Sequence, residues 1–437
     1  MKWKVLAAGI LLGAAAGAHA LESKQVHTFT LANGMKFIVL ESKTIPNANM
    51  YTFWKVGSRN EAPGTTGLSH FFEHMMFNGS KNYGPKMFDR TMEANGGSNN
   101  AYTSNDVTVY QDWFPASALE TIFKLESDRI GKLSIDPKLV ESERGVVLSE
   151  RSTGLENSNT RLLQEEVNGV AFQAHPYSWS VIGHESDIKG WTLQDLNHYF
   201  KTYYAPNNAV VVIVGDVSAA KVETMAGKYF GAIPRGALPP KVRTSEPVQN
   251  GERRVFVAKA SATSPNLMVA YKVPAISDPD YYALNVLQSI LADGKTSRLY
   301  RALVEKQLAT SVGADSIDGF DPGLLYLFAV AASDVGPARL EQAMLAEVSR
   351  LVEAGVGEEE LQKVKNQKLL GIFRERETIN GKAQQLGNHE VFFGDYKKVF
   401  DAPDAYRKLT PADIQRVAAK YLKKSQRTVG VLAAKED

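Results

Sequence analysis

The sequence contains no cysteine among its 437 residues. That absence excludes a disulfide framework, a thiolate zinc cage, an iron–sulfur cluster, a cysteine nucleophile and a lipid-anchored amino terminus. A bound metal would have to rest on histidine and carboxylate ligands. An excess of one charge is also missing, since Lys and Arg total 50 against 48 Asp and Glu, a formal +2. Without a basic block, the chain lacks the electrostatic footprint of a nucleic-acid binder, and no nucleic-acid partner is expected. Beyond residue 20 no apolar run is long enough to span a bilayer. With 44% hydrophobic and 22% charged residues, what remains is the composition of an ordinary globular protein of a few domains.

The first twenty residues stand apart. Met1-Lys2-Trp3-Lys4 is a short basic start, Val5 to Ala18 is apolar, and Ala18-His19-Ala20 supplies an Ala-x-Ala cleavage signal. These are the three parts of a secretory signal peptide, so residues 1–20 are expected to be removed. Cleavage would take away Lys2 and Lys4, leaving 50 − 2 = 48 basic residues against 48 acidic ones, a formally neutral chain. Export without cysteine fits a bacterial periplasm or the medium, of which the periplasm is the expected location, with no membrane association after cleavage.

The mature sequence reads as α+β. His27 to Leu31 and Met35 to Leu40 alternate in polarity around Asn33-Gly34, a strong hairpin signal. Met50 to Val56 reads as a third strand, Ser58 to Thr66 as a loop, Leu68 to Phe77 as a helix, and Tyr102 to Tyr110 as a further strand. Asp136-Pro137 opens a helix that runs past Glu150, with Asp as cap and Pro at the first helical position. The segment Gly231 to Asn250 carries four prolines and reads as a linker. It divides the chain into residues 21–230 and residues 251–437. Near the end of each half a Thr-x-x-Asp capping box precedes a helix and then a strand: Thr192 and Asp195, then Thr410 and Asp413, an offset of 410 − 192 = 218. The repeat predicts two similar halves, each a mainly antiparallel sheet with helices packed on it, facing each other as a clamshell. A cleft between halves is a natural place for a site.

The residues that carry chemistry lie in Gly67 to Phe77. His70 and His74 are four apart on a helix, so both rings project from one face, and Glu73 stands beside them. This is the inverted His-x-x-Glu-His arrangement of zinc peptidases. Phe71, Phe72, Met75 and Phe77 would bury the same helix, which makes unpartnered polar groups there costly. Catalytic zinc takes three protein ligands and keeps a fourth position for water, so a third ligand is required. Glu143 and Glu150, seven residues apart on the helix that Asp136 begins, share one stripe, and their spacing does not choose between them.

At these residues the chain resembles the pitrilysin-like M16 zinc peptidases, especially short bacterial members similar to mitochondrial processing peptidase. The resemblance rests on His70-x-x-Glu73-His74, the downstream Glu143-Arg-x-Val-Val-x-x-Glu150, the strand Asn100-Ala101-Tyr102-Thr103-Ser104 and the two-half plan. It implies one zinc per chain held by His70, His74 and Glu150. It also implies Glu73 as general base, Glu143 as an acid supporting the ligands, and Asn100 and Ala101 on an edge strand that takes a peptide substrate as an added strand.

One departure stands out. Self-sufficient members carry an Arg followed seven residues later by a Tyr in the second half. Here the resemblance places Val304 and about Thr310 at those positions, while Arg298, Tyr300 and Arg301 lie nearby with neither the spacing nor the helical face. That stretch reads as an amphipathic helix with exposed arginines. The expectation is a zinc-dependent endopeptidase for short or unfolded peptides, acting as the zinc-bearing subunit of a heterodimer whose homologous partner supplies the missing pair. The competing expectation is a catalytically silent peptide-binding or scaffold subunit; Glu73 argues against it, because a structural metal site has no use for an unliganded base.

Overall fold

A computed structural model describes residues 25–435, so the expected leader lies outside the described residues. Two sheets organise the molecule. The first contains β1 (Val26–Thr30), β2 (Lys36–Glu41), β3 (Asn47–Trp54), β4 (Ser98–Thr103), β5 (Thr108–Pro115) and β6 (Ala209–Gly215) in the order β1-β2-β6-β3-β5-β4. The second contains β7 (Arg253–Ala258), β8 (Asn266–Val273), β9 (Ala309–Ser316), β10 (Gly323–Ala331) and β11 (Arg427–Ala433) in the order β7-β11-β8-β10-β9. Among the described residues only β2–β6 and β7–β11 pair in parallel. Once β1 is set aside, the two strand orders coincide, which establishes the α+β fold of two matching halves.

The local reasons are legible. Gly34, at φ 92°, turns the β1–β2 hairpin, in which Val26 pairs with Leu40 and Thr30 with Lys36. Both Thr-x-x-Asp boxes form, and each is followed by a buried strand, β6 or β11. Residues 231–252 contain no helix or strand and connect the halves. One expectation is corrected: Tyr102 to Tyr110 is not a single strand. The chain reverses there, because Ser104 caps a tight turn by accepting from the amides of Asp106 and Val107, and β4 and β5 pair antiparallel on either side.

Each half lends a helix to the other. Asn159–Ala171 lays Leu163, Val167 and Ala171 on Met268, Ala270 and Leu432 of the second sheet. Ile379–Phe393 lays Ala383, Leu386 and Val391 on Ile38, Phe53, Val210 and Val212 of the first. Two glycines mark the close approach. A Cβ on Gly430 would stand 2.3 Å from Val167 Cγ2, and one on Gly387 would stand 2.1 Å from Phe53 Cε2. Each fully buried aliphatic side chain at these faces contributes about 1.5–3 kcal/mol, so the exchange fixes how the halves sit together.

Candidate metal centre

The helix Leu68–Met75 is held at its start by backbone conformation and a buried carboxyl. Gly67 adopts a left-handed φ of 88°, and a Cβ there would meet Ile182 O at 2.4 Å. The buried Glu61 carboxyl accepts from the amides of Gly67 at 2.7 Å and Ser69 at 2.8 Å, satisfying donors that a helix start leaves free. Burial nevertheless pushes Glu61 up to about 8 against the pull of those amides. Leu68, Phe71, Phe72 and Met75 anchor the helix in the first-half core, and His70, Glu73 and His74 turn toward the clefts.

The Nε2 atoms of His70 and His74 stand 3.2 Å apart. Glu150 Oε2 lies 3.6 Å from the first and 3.5 Å from the second, and the three ligand atoms fall within 4.8 Å of one another. Glu150 reaches them from the helix Pro137–Asn157, which Asp136 caps through the amides of Lys138 and Leu139. Glu143, two turns earlier, faces the other side of His74: its Oε1 accepts a hydrogen bond from Nδ1–H at 2.7 Å, while Asn78 Nδ2 donates to its Oε2 at 2.6 Å. Geometry thus separates two acids that spacing could not.

Electrostatics distinguish the two imidazoles. Burial, reinforced by the neighbouring His74, lowers His70 to about 4. Burial also opposes a charge on His74, but the Glu143 hydrogen bond and the charges of Glu143, Glu150 and Glu73 raise its pKa overall. Burial raises Glu73, and the hydrogen bond from His74 holds Glu143 low.

The donor set fits zinc. Glu143 fixes the His74 tautomer with its proton on Nδ1, which leaves a lone pair on Nε2 aimed at His70 and Glu150. The buried Nδ1 of His70 has no hydrogen-bond partner among the described residues. Two facing imidazole nitrogens with a carboxylate about equally far from both form a two-nitrogen, one-oxygen set, the ligand pattern that leaves zinc an open position.

Two open clefts, of about 570 and 450 Å³, meet at Glu73 and Ala101. Trp179, Arg151 and Arg161 help wall the first, and Asp89, Glu93 and Asn100 the second. Asn100 and Ala101 lie on β4, the last strand of its sheet, which pairs only with β5 and so presents a free edge among the described residues. Sequence reasoning missed Thr103, whose hydroxyl donates to Glu73; its position two residues after Ala101 on one strand face was the available signal. It also missed Asn78 and Glu61, whose roles depend on folding over several turns.

The second-half stretch meets its expectation in part. It is helical over residues 298–304, closing in a wide turn over Tyr300–Val304, with Leu299 and Leu303 buried and Arg301 exposed. Arg298 is not exposed; it is partly buried, donating from Nε and Nη2 to Glu360 at 3.0 and 2.6 Å and from Nη2 to Gly355 O at 2.9 Å. None of Arg298, Tyr300, Arg301, Val304 or Thr310 lines either cleft beside the imidazoles.

A His-x-x-Glu-His helix answered by a glutamate from a distant helix, set in a frame of two matching halves, defines the class of inverted-motif zinc peptidases. Residues 37–185 match the model of insulinase, peptidase family M16, and residues 190–368 match the model described as the peptidase M16 inactive domain. The zinc protease PqqE of Helicobacter pylori is 31% identical over 430 residues, covering 97% of this chain and 96% of that protein. A probable mitochondrial-processing peptidase subunit beta of Arabidopsis thaliana is 24% identical over 417 residues, covering 92% of this chain and 77% of that one. The crystal structure of a protease from Helicobacter pylori superposes with a TM-score of 0.90 at 30% identity, covering 93% of this chain and 99% of that chain. The chain belongs to the M16 peptidase family.

Proposed function

We propose that the chain is a zinc-dependent endopeptidase of the periplasm that hydrolyses short or unfolded peptides. The observation that carries this reading is Glu73 beside the cluster of His70, His74 and Glu150, a basic group in a position where a purely structural metal site would need none. His70 Nε2, His74 Nε2 and a Glu150 oxygen would hold one zinc ion, which supplies acidity to a bound water and polarises a carbonyl. The free edge of β4 at Asn100 and Ala101 binds the peptide through its backbone, giving affinity with little demand on sequence. Glu73 accepts the proton of the attacking water and returns it to the leaving amine. Glu143 and Asn78 keep His74 in its ligating tautomer throughout. The leader-like pattern of residues 1–20 supports export, and among the described residues no helix is long and apolar enough to cross a membrane.

The chain acts as the zinc-bearing subunit of a heterodimer with a homologous M16 partner. The support for this is that among the described residues no Arg–Tyr pair from the second half lines the clefts, and losing such donors costs roughly a hundred- to a thousandfold in rate. Capture of the tagged chain from its native periplasm, followed by cleavage assays on an unstructured peptide with and without the co-purified chain, tests both statements. Zinc-dependent cleavage that rises at least a hundredfold with the partner is expected. Full activity of the isolated chain refutes the heterodimer, and no cleavage under either condition refutes the peptidase.

A further inference from the structure

The strand that would receive the substrate also touches the proposed base. Thr103 closes β4 two residues after Ala101, and strand alternation places these side chains on one face and Tyr102 on the other. On the Tyr102 side, Gln384 Nε2 donates to the tyrosine hydroxyl at 2.9 Å, tying the strand to the helix that the second half lends to the first sheet. On the opposite face, Thr103 Oγ1 donates to Glu73 Oε2 at 2.5 Å. Glu73 is largely buried at the junction of the two clefts, and this hydroxyl is its only side-chain hydrogen-bond donor among the described residues. A carboxylate held by one short, charge-assisted bond has one oxygen fixed and the other free.

We propose that Thr103 is a positioning residue for Glu73: its hydroxyl pins one carboxylate oxygen and thereby aims the other at the reacting water. Because Thr103 stands on the strand that pairs with the peptide, one element sets both the register of the substrate and the direction of the base. The inference rests on the peptidase reading above.

Val and Ser separate the hydroxyl from the shape, since Val keeps the branched outline without the donor and Ser keeps the donor without the methyl group. In the zinc-loaded enzyme with its co-purified partner, Thr103→Val should lower kcat by about 10- to 100-fold, the scale of a misaimed catalytic group, with KM within about threefold. Thr103→Ser should keep kcat within about threefold of the unmutated chain, roughly the margin a preserved donor allows. A second measurement needs no activity. In metal-free chains, Thr103→Val should lower the melting temperature when Glu73 is present and leave it unchanged in a Glu73→Ala background. Unchanged kcat in Thr103→Val overturns the proposal, as does equal impairment by Val and Ser, or a melting shift that is the same with and without Glu73. Should the unmutated, zinc-loaded complex cleave nothing, the peptidase reading fails while the melting arm still decides whether Thr103 and Glu73 are coupled.

Discussion

The two halves share a strand order, yet among the described residues a cluster of side chains that could hold a metal ion occurs in only one. The helix Leu68–Met75 follows β3 and presents two imidazoles and a carboxylate to the clefts. Its counterpart Tyr281–Ala292 follows β8 and holds no His, Asp or Glu, burying Ala283, Val286, Leu287, Ile290 and Leu291 instead. A later pair of long helices diverges in the same way. Pro137–Asn157 aims Glu143 and Glu150 at the imidazoles, whereas Glu358–Glu375 spends Glu360 on holding Arg298. The scaffold therefore does not depend on the site: the cross-packed helices at Gly387 and Gly430 hold both halves, and the chemistry is a set of polar replacements on one copy.

The sharpest way to break this comparison is Glu73→Gln. It should lower kcat by about 10²–10⁴-fold while zinc content stays at the level of the unmutated chain, because the proposed role of the residue is proton transfer and not ligation. Leu386→Ala attacks the scaffold instead. Removing a fully buried side chain from the lent helix should cost about 2–5 kcal/mol of unfolding free energy, measured by denaturant titration, with kcat of the remaining folded enzyme preserved. Glu143→Gln should weaken zinc affinity by about 10- to 100-fold in competition with a chelator, since the His74 tautomer loses its anchor. An unchanged affinity would mean that Glu143 does not support the ligand.

The smallest effect concerns Glu61. Its native carboxyl keeps its proton up to about 8, while the unfolded chain releases it near the ordinary 4.5, so between those values the native state binds more protons. Stability from this group is therefore present at low pH and lost as pH rises through that window. Glu61→Gln removes the dependence, so the melting temperature of the unmutated chain minus that of the variant should fall between pH 5 and 8. A constant difference would place an ionised carboxylate at the helix start throughout.

Much of this was legible from residues that act locally. The Asn33-Gly34 hairpin, both Thr-x-x-Asp boxes and the Asp136 cap depend on neighbours within a few positions and form where the sequence places them. The His-x-x-Glu-His spacing fixed one helix face for the same reason. What was hidden depends on chain reversal or long-range packing. The β4–β5 turn was lost inside an alternating run, because Tyr102 and Val107–Tyr110 keep a strand-like pattern across it. Glu150 and Glu143 became distinguishable only when the helix docked against His74. Arg298 looked exposed because Glu360, its partner, lies 62 residues further on. Thr103 lies in the stretch from Asn100 to Ser104 that reads as a strand but has no visible role until Glu73 folds against it.

The most direct test of the account is the zinc content of the chain purified without chelator, measured by elemental mass spectrometry alongside Glu150→Gln and Glu143→Gln. One zinc per unmutated chain, near-complete loss in Glu150→Gln and partial retention in Glu143→Gln are predicted. Undiminished zinc in Glu150→Gln, or none in the unmutated chain, would contradict it.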